Sequence, residues 1–212
     1  MMEAKQLRLM SYARITNQRV VSDGNLILEN QEGDAKHWLS EIYKHLGCDH
    51  PKFFKMDPLC KSGFLTAELV MRNLHLVPED PKEDWAVVCF NSAGSLDDDR
   101  TYQATIQEAD NYFPSPAVFV YTLANIVTGE IAIRHKIKGE SSFYVEEKFN
   151  AARVIGAAED VLRLTPARHV LTGWVDFDEG VCDVLFFAVT LSDDPALPVA
   201  TGELLQEIYQ QK

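Results

Sequence analysis

The stretch "GESSFYVEEKFNAARVIGAAEDVL", residues 139–162, decides how this chain is read. Its first part, 141–146, is β-prone, with Phe143 and Val145 on one side of the pleat and Tyr144 on the other. It runs directly into a helix, expected over 149–164, whose small and apolar positions, Ala151, Ala152, Val154, Gly156, Ala158 and Val161 among them, spread around most of the circumference. Such a helix needs cover on more than one side. The junction between strand and helix is a helix N-terminus, where the dipole favours negative charge and where many enzymes hold a nucleophile. Here it carries Glu146, Glu147 and Lys148.

Working outward, strands and helices alternate. Upstream, Leu7, Leu9, Ser11, Ala13 and Ile15 alternate with larger or polar neighbours as a strand, and Asp23-Gly24 signals a hairpin. Asp34 caps an expected helix bearing Trp38, Leu39, Ile42, Tyr43 and Leu46, which Gly47 stops. A second helix is expected over 59–76, a strand over 85–91, a polar helix after "SAGSLDDD", and a longer helix over about 118–133. Downstream, "RHVLTGWVDF" and "CDVLFFAVTL" read as strands and "TGELLQEIYQQK" as a short terminal helix. This order predicts an α/β fold: one domain over 1–212 with a mixed, mostly parallel five-stranded sheet and helices on both faces.

The net charge of −12 argues against nucleic acid and anionic membranes, which need a concentrated cationic face. The run Arg134, His135, Lys136, Lys138 falls at a helix end and reads as a solvated complement to the dipole. Without a long apolar span or a secretory leader, the expected location is cytoplasmic. Cys48, Cys60, Cys89 and Cys182 are scattered singly and read as reduced, mostly buried thiols. His45, Cys48, His50 and Cys60 match no zinc spacing, so neither metal nor other cofactor is expected. The turn "NSAGS" is too poor in glycine for a phosphate loop, Ser92 and Ser95 have no evident His-Asp partners, and Asp97, Asp98 and Asp99 read as a helix N-terminal charge cluster.

The runs "FKMDPLCKSGFLTAELVMRNLHL", "AVVCFNSAGSL" and "PSPAVFVYTLANIVTGEIAIRHKIKG", followed by the opening stretch, resemble in order and spacing the N-terminal half of β-ketoacyl synthases of the thiolase fold. The resemblance covers about residues 5–192. It implies that the strand after "KG" should deliver a cysteine that accepts an acyl group from an acyl carrier protein, but that place falls on Lys148 or a direct neighbour. The family's histidines for malonyl decarboxylation lie in its later half, to which nothing here corresponds. An acylated lysine is an amide and a poor acyl donor. The two glutamates are therefore expected to satisfy the helix N-terminus and Lys148 to face solvent or a partner.

The resemblance further implies that the strand Phe143, Tyr144, Val145, Glu146 pairs edge to edge with another subunit and that the helix containing Asn125 shapes an acyl tunnel. The expected protein is an inactive, chain-length-factor-like subunit of an active ketosynthase in fatty-acid or aryl-polyene/polyketide-type biosynthesis, meeting the carrier protein only indirectly. Two alternatives stand beside it: a stand-alone acyl-thioester enzyme using Lys148 with Glu146 or Glu147, and a homodimeric acyl-binding protein.

Overall fold

A computed structural model describes residues 5–31, 35–108, 110 and 112–211. Its strands are β1 (Gln6–Thr16), β2 (Arg19–Ser22), β3 (Asn25–Glu29), β4 (Trp85–Asn91), β5 (Ser141–Val145), β6 (His169–Asp178) and β7 (Val181–Ser192). The helices are α1 (Ala35–His45), α2 (Pro58–Asn73), α3 (Leu96–Ala104), α4 (Pro116–Phe119), α5 (Ile126–His135), α6 (Ala151–Leu164) and α7 (Gly202–Gln210). Asp34, expected to cap α1, lies outside the described residues.

The strands form one sheet in the order β3-β2-β1-β7-β6-β4-β5. It is mixed, as expected, but has seven strands rather than five, and antiparallel pairings predominate: only β4 pairs in parallel, with β5 and with β6. Tight turns account for the difference. Asp23 and Gly24 both take positive φ (45° and 79°), the geometry of a two-residue hairpin, and add β2 and β3 beside β1. Glu179 and Gly180 do the same (48° and 80°) and fold β7 back antiparallel on β6. β1 then closes on the free side of β7.

β4 is buried along its whole length because it is central and covered on both faces. Trp85, Val87 and Cys89 pack in the layer of α2, while Ala86, Val88 and Phe90 pack in the layer of α6. The alternation in β1 is subtler. A register shift between Leu9 and Ser11 makes Met10 an extra residue, so Leu7 and Leu9 serve the α6 side whereas Ala13 and Ile15 serve the α2 side. Positions that look like one face in the sequence therefore feed two cores.

The helix expected over 118–133 is broken. α4 passes through a 3-10 turn (Val120–Thr122) and the chain bends by 97° before α5 begins. Aromatic and β-branched residues at Phe119, Val120 and Thr122 hold a helix weakly. Asn125 then starts α5, its carbonyl accepting from the backbone N and Oγ1 of Thr128. Among the described residues no single helix is long and apolar enough to cross a membrane.

Candidate functional site

β5 ends the sheet, paired with β4 on one side only, from Val87↔Ser141 to Asn91↔Val145. Phe143 turns inward and packs against the α2-side core. Tyr144 turns to the other face, where its ring stacks on Phe90 with centroids 5.0 Å apart. Tyr144 nevertheless remains 40% exposed and Val145 62% exposed. A sheet edge with unpaired N–H and C=O groups and apolar side chains is a template for another strand.

Past the edge, the backbone N of Glu146 donates to the carbonyl of Asn91 at 2.8 Å, and its carboxylate accepts from Arg153 Nε at 2.9 Å. This ties the strand's end to the first turn of α6. The glutamates do not cap the helix. Asn150 does, its Oδ1 accepting from the backbone N of Ala152 and Arg153. Glu147 and Lys148 are exposed, and Lys148 makes no hydrogen bond or ion pair with the described residues. Phe149 anchors the turn by stacking on Tyr209 of α7, centroids 4.2 Å apart.

α6 buries one side and exposes another. Ala151, Val154, Ala158 and Val161 are buried, and α7 covers part of its flank. The opposite side is open: Leu164 is 81% exposed. Between this side and β5 lies a groove of about 270 Å³ whose walls include Tyr144, Arg153, Gly156 and Asp160. Asn125 is also exposed, and Ile126 beside it packs with Phe143 against the α2-side core. The loop and helix before it leave Tyr112, Phe113, Phe119, Val120 and Leu123 exposed.

All four thiols have raised pKa values. Burial is the leading cause in each; Cys48 is pushed up to about 11 and Cys182 to about 12. Protonated thiols are poor nucleophiles. His45, Cys48, His50 and Cys60 do not converge, and no group of three or more potential ligands among the described residues could hold a metal ion. Ser92 Oγ donates to Asp176 and Ser95 Oγ to the carbonyl of Thr122, so neither serine has a histidine partner.

One reading from charge alone is corrected. The basic run after α5 is not all solvated: Arg134 Nε and Nη2 donate to Glu68 at 3.0 Å, and His135, 3.5 Å from the same carboxylate, is buried. Glu68 also receives Arg72. The signal that could have found this was a glutamate four residues before an arginine inside an otherwise apolar helix. Asp97, Asp98 and Asp99 do lie in the first turn of α3, as a charge cluster at its N-terminus, and Asp98 among them is buried.

No family model matches this chain, and no curated protein does. Solved structures do. The ishigamide ketosynthase/chain length factor is 12% identical, with 92% of this chain covering 64% of that one at a TM-score of 0.65. The ketosynthase ApeO in complex with its chain length factor ApeC, from Xenorhabdus doucetiae, is 11% identical over 96% of this chain and 90% of the matched one, TM-score 0.61. The AntDE:AntF complex, a type II polyketide synthase acyl-carrier protein with its ketosynthase, is 11% identical over 88% and 62%, TM-score 0.59. The chain spans less than two thirds of the first and third of these. At such identities the likeness concerns the fold, which is that of ketosynthases and chain length factors, as the opening stretch led one to expect.

Proposed function

We propose that this chain is a ketosynthase-like subunit without acyl transfer of its own, which partners an active β-ketoacyl synthase in the manner of a chain length factor, in fatty-acid or aryl-polyene/polyketide-type biosynthesis. The observation that carries the reading is the open apolar edge of β5, with Tyr144 and Val145 exposed beside the uncovered side of α6. Another strand laid along it would satisfy the edge and bury both side chains. The near-complete mutual coverage with one chain of the ketosynthase–chain length factor complex supports it.

In this reading Phe143, Tyr144, Val145 and Glu146 meet the partner, while Asn125 and the exposed residues before it close the far end of the partner's acyl tunnel. Bulk there limits chain length, because a packed pocket rejects extra methylenes. Acyl carrier proteins are acidic, so a net charge of −12 disfavours direct docking here, and the partner receives the carrier.

The test is co-expression with a candidate ketosynthase. Co-purification as a 1:1 complex, and longer products when Leu123→Ala enlarges the tunnel end, are expected. A homodimer that ignores every ketosynthase would replace this reading with the acyl-binding alternative. An acyl mass adduct on Lys148, lost in Lys148→Ala, would replace it with the enzyme alternative.

A further inference from the structure

Between the C-terminal end of α7 and strands β1 and β2 the surface opens into a cleft of about 790 Å³, whose walls include Arg14, Gln18, Arg19, Tyr209 and Gln211. None of its lining residues is acidic, in a chain of net charge −12. The strand pairing brings the two arginines together. Ile15 stands opposite Val20, so Thr16 stands opposite Arg19, on the same side of the sheet as Arg14.

Arg14 is held in place from two sides. Its Cζ lies 4.5 Å from the centre of the Tyr209 ring, and that ring stacks in turn on Phe149, centroids 4.2 Å apart. Tyr209 donates its hydroxyl to Asp183, whose Oδ1 is 3.0 Å from Arg14 Nη1. This acid does not saturate the guanidinium. The Nη1 contact is out of line for a hydrogen bond, and both Nη1 and Nε of Arg14 are buried without an acceptor. The side chain of Arg19 makes no hydrogen bond or ion pair with the described residues, although Glu29 stands opposite it on β3.

Two guanidinium groups with donors to spare, side by side, are costly unless an acceptor answers them. The opposing negative charge is small. Asp183 is already engaged by Tyr209 and Arg14, and the half charge at the end of α7 is outweighed by two full cations. A planar guanidinium fork matches the paired oxygens of a carboxylate or a phosphate.

We propose that this cleft binds a small molecule through a phosphate or carboxylate group held by Arg14 and Arg19, with Gln18, Gln210 and Gln211 meeting its neutral part. The cleft is larger than a bare ion needs and falls within the range of small-molecule sites, roughly 300–1,000 Å³. The site is independent of what β5 binds, and its test uses the chain alone.

The test follows backbone amide chemical shifts of the chain during titration with inorganic phosphate and, separately, with acetate, each against sodium chloride at equal ionic strength. Saturable shifts at Thr16, Gln18, Arg19 and Gln211, absent with chloride, are expected. Saturation by both anions identifies the shared oxyanion chemistry; saturation by one alone assigns the site to phosphate or to carboxylate. Arg19→Gln removes charge from a side chain that has no partner and should weaken binding roughly 10-fold. Arg14→Lys keeps the charge beside Asp183 but loses the fork, and should weaken it several-fold. Should Arg14→Lys fail to fold, Arg19→Gln alone decides. Arg163→Gln, on the exposed side of α6, should bind as the wild type does. No saturation by either anion up to roughly 20 mM, or equal affinity in the wild type and Arg19→Gln, would overturn the site.

Discussion

α2 and α6 lie on opposite faces of one sheet and look alike in sequence, each a run of small and aliphatic residues. Their surroundings differ. α2 is enclosed by the sheet, α1 and α5, so every residue from Ser62 to Met71 is buried. Its polar groups must be answered inside the protein: Ser62 Oγ bonds the carbonyl of Leu59, Thr66 Oγ1 that of Ser62, and Glu68 its two arginines. α6 is covered by the sheet and α7 and presents Ala152, Arg153, Gly156 and Asp160 outward. One helix is finished within the fold; the other has a face still available. Substitutions on the two should therefore have opposite consequences.

The largest effect should come from Glu68→Ala. Glu68 is about 1% exposed and neutralises Arg134 and the more exposed Arg72, so its loss strands the mostly buried guanidinium of Arg134 at a cost of about 3 kcal/mol, read from urea unfolding. The pH dependence of the same cluster is expected on the acid side. Burial, outweighing the pull of Glu68, depresses His135 from 6.5 to about 4. A depressed folded value means that its contribution is complete above 6.5 and is lost as pH falls toward about 4. His135→Phe should flatten that acid limb in a pH series of melting curves, and an unchanged limb would show that other groups control it.

Next is Gly63→Ala. A Cβ there would come within 2.5 Å of Val127 Cγ2 and 3.2 Å of Val175 Cγ2. Both valines are fully buried, so relief requires the α5 contact or β6 to shift, a cost of roughly 1–3 kcal/mol by the same urea measurement. A neutral result would mean that the enclosure of α2 is looser than its geometry implies.

Tyr144→Lys tests the open side. The ring is already partly in water, and its loss should lower monomer stability by about 1 kcal/mol or less through the contact with Phe90. Association through β5 should fall much further, because lysine on an edge strand opposes pairing. Sedimentation velocity with and without a candidate ketosynthase separates the two effects. Equal losses in both would show Tyr144 to be an ordinary core residue.

How much of this was legible follows from range. The strand-to-helix order of the opening stretch and the Asp23-Gly24 hairpin depend on local chemistry and stood in the sequence, whereas the edge position of 141–145 came only from the resemblance. The expectation that α6 needs cover on more than one side is met by the sheet and α7, but which of its small residues stay open could not be read, because Ala151 and Ala158 are buried while Ala152 and Gly156 are exposed. The Glu179-Gly180 turn stood between two segments read as strands and was not read as a hairpin. The inward turn of Asp98 and the pairing of Glu68 with Arg134, sixty-six residues apart, depend on helix packing that no local pattern announces. Lys148 is exposed, and it is Asn150 that holds the helix end the glutamates were assigned.

The smallest change tests the comparison most directly. Gly156 is the counterpart of Gly63 on the other face, and an added Cβ there meets nothing within 4 Å. In the isolated chain Gly156→Ala should stabilise by about 0.5–1 kcal/mol, since alanine loses less backbone entropy in a helix and nothing must move. If the open side of α6 is where another chain packs, the same methyl group would intrude on a close contact and weaken the complex while strengthening the monomer. A substitution that raises the melting temperature alone yet lowers affinity for the partner would mark the face as an interface. One that raises both would leave β5 as the only contact and reduce the open side of α6 to ordinary solvated surface.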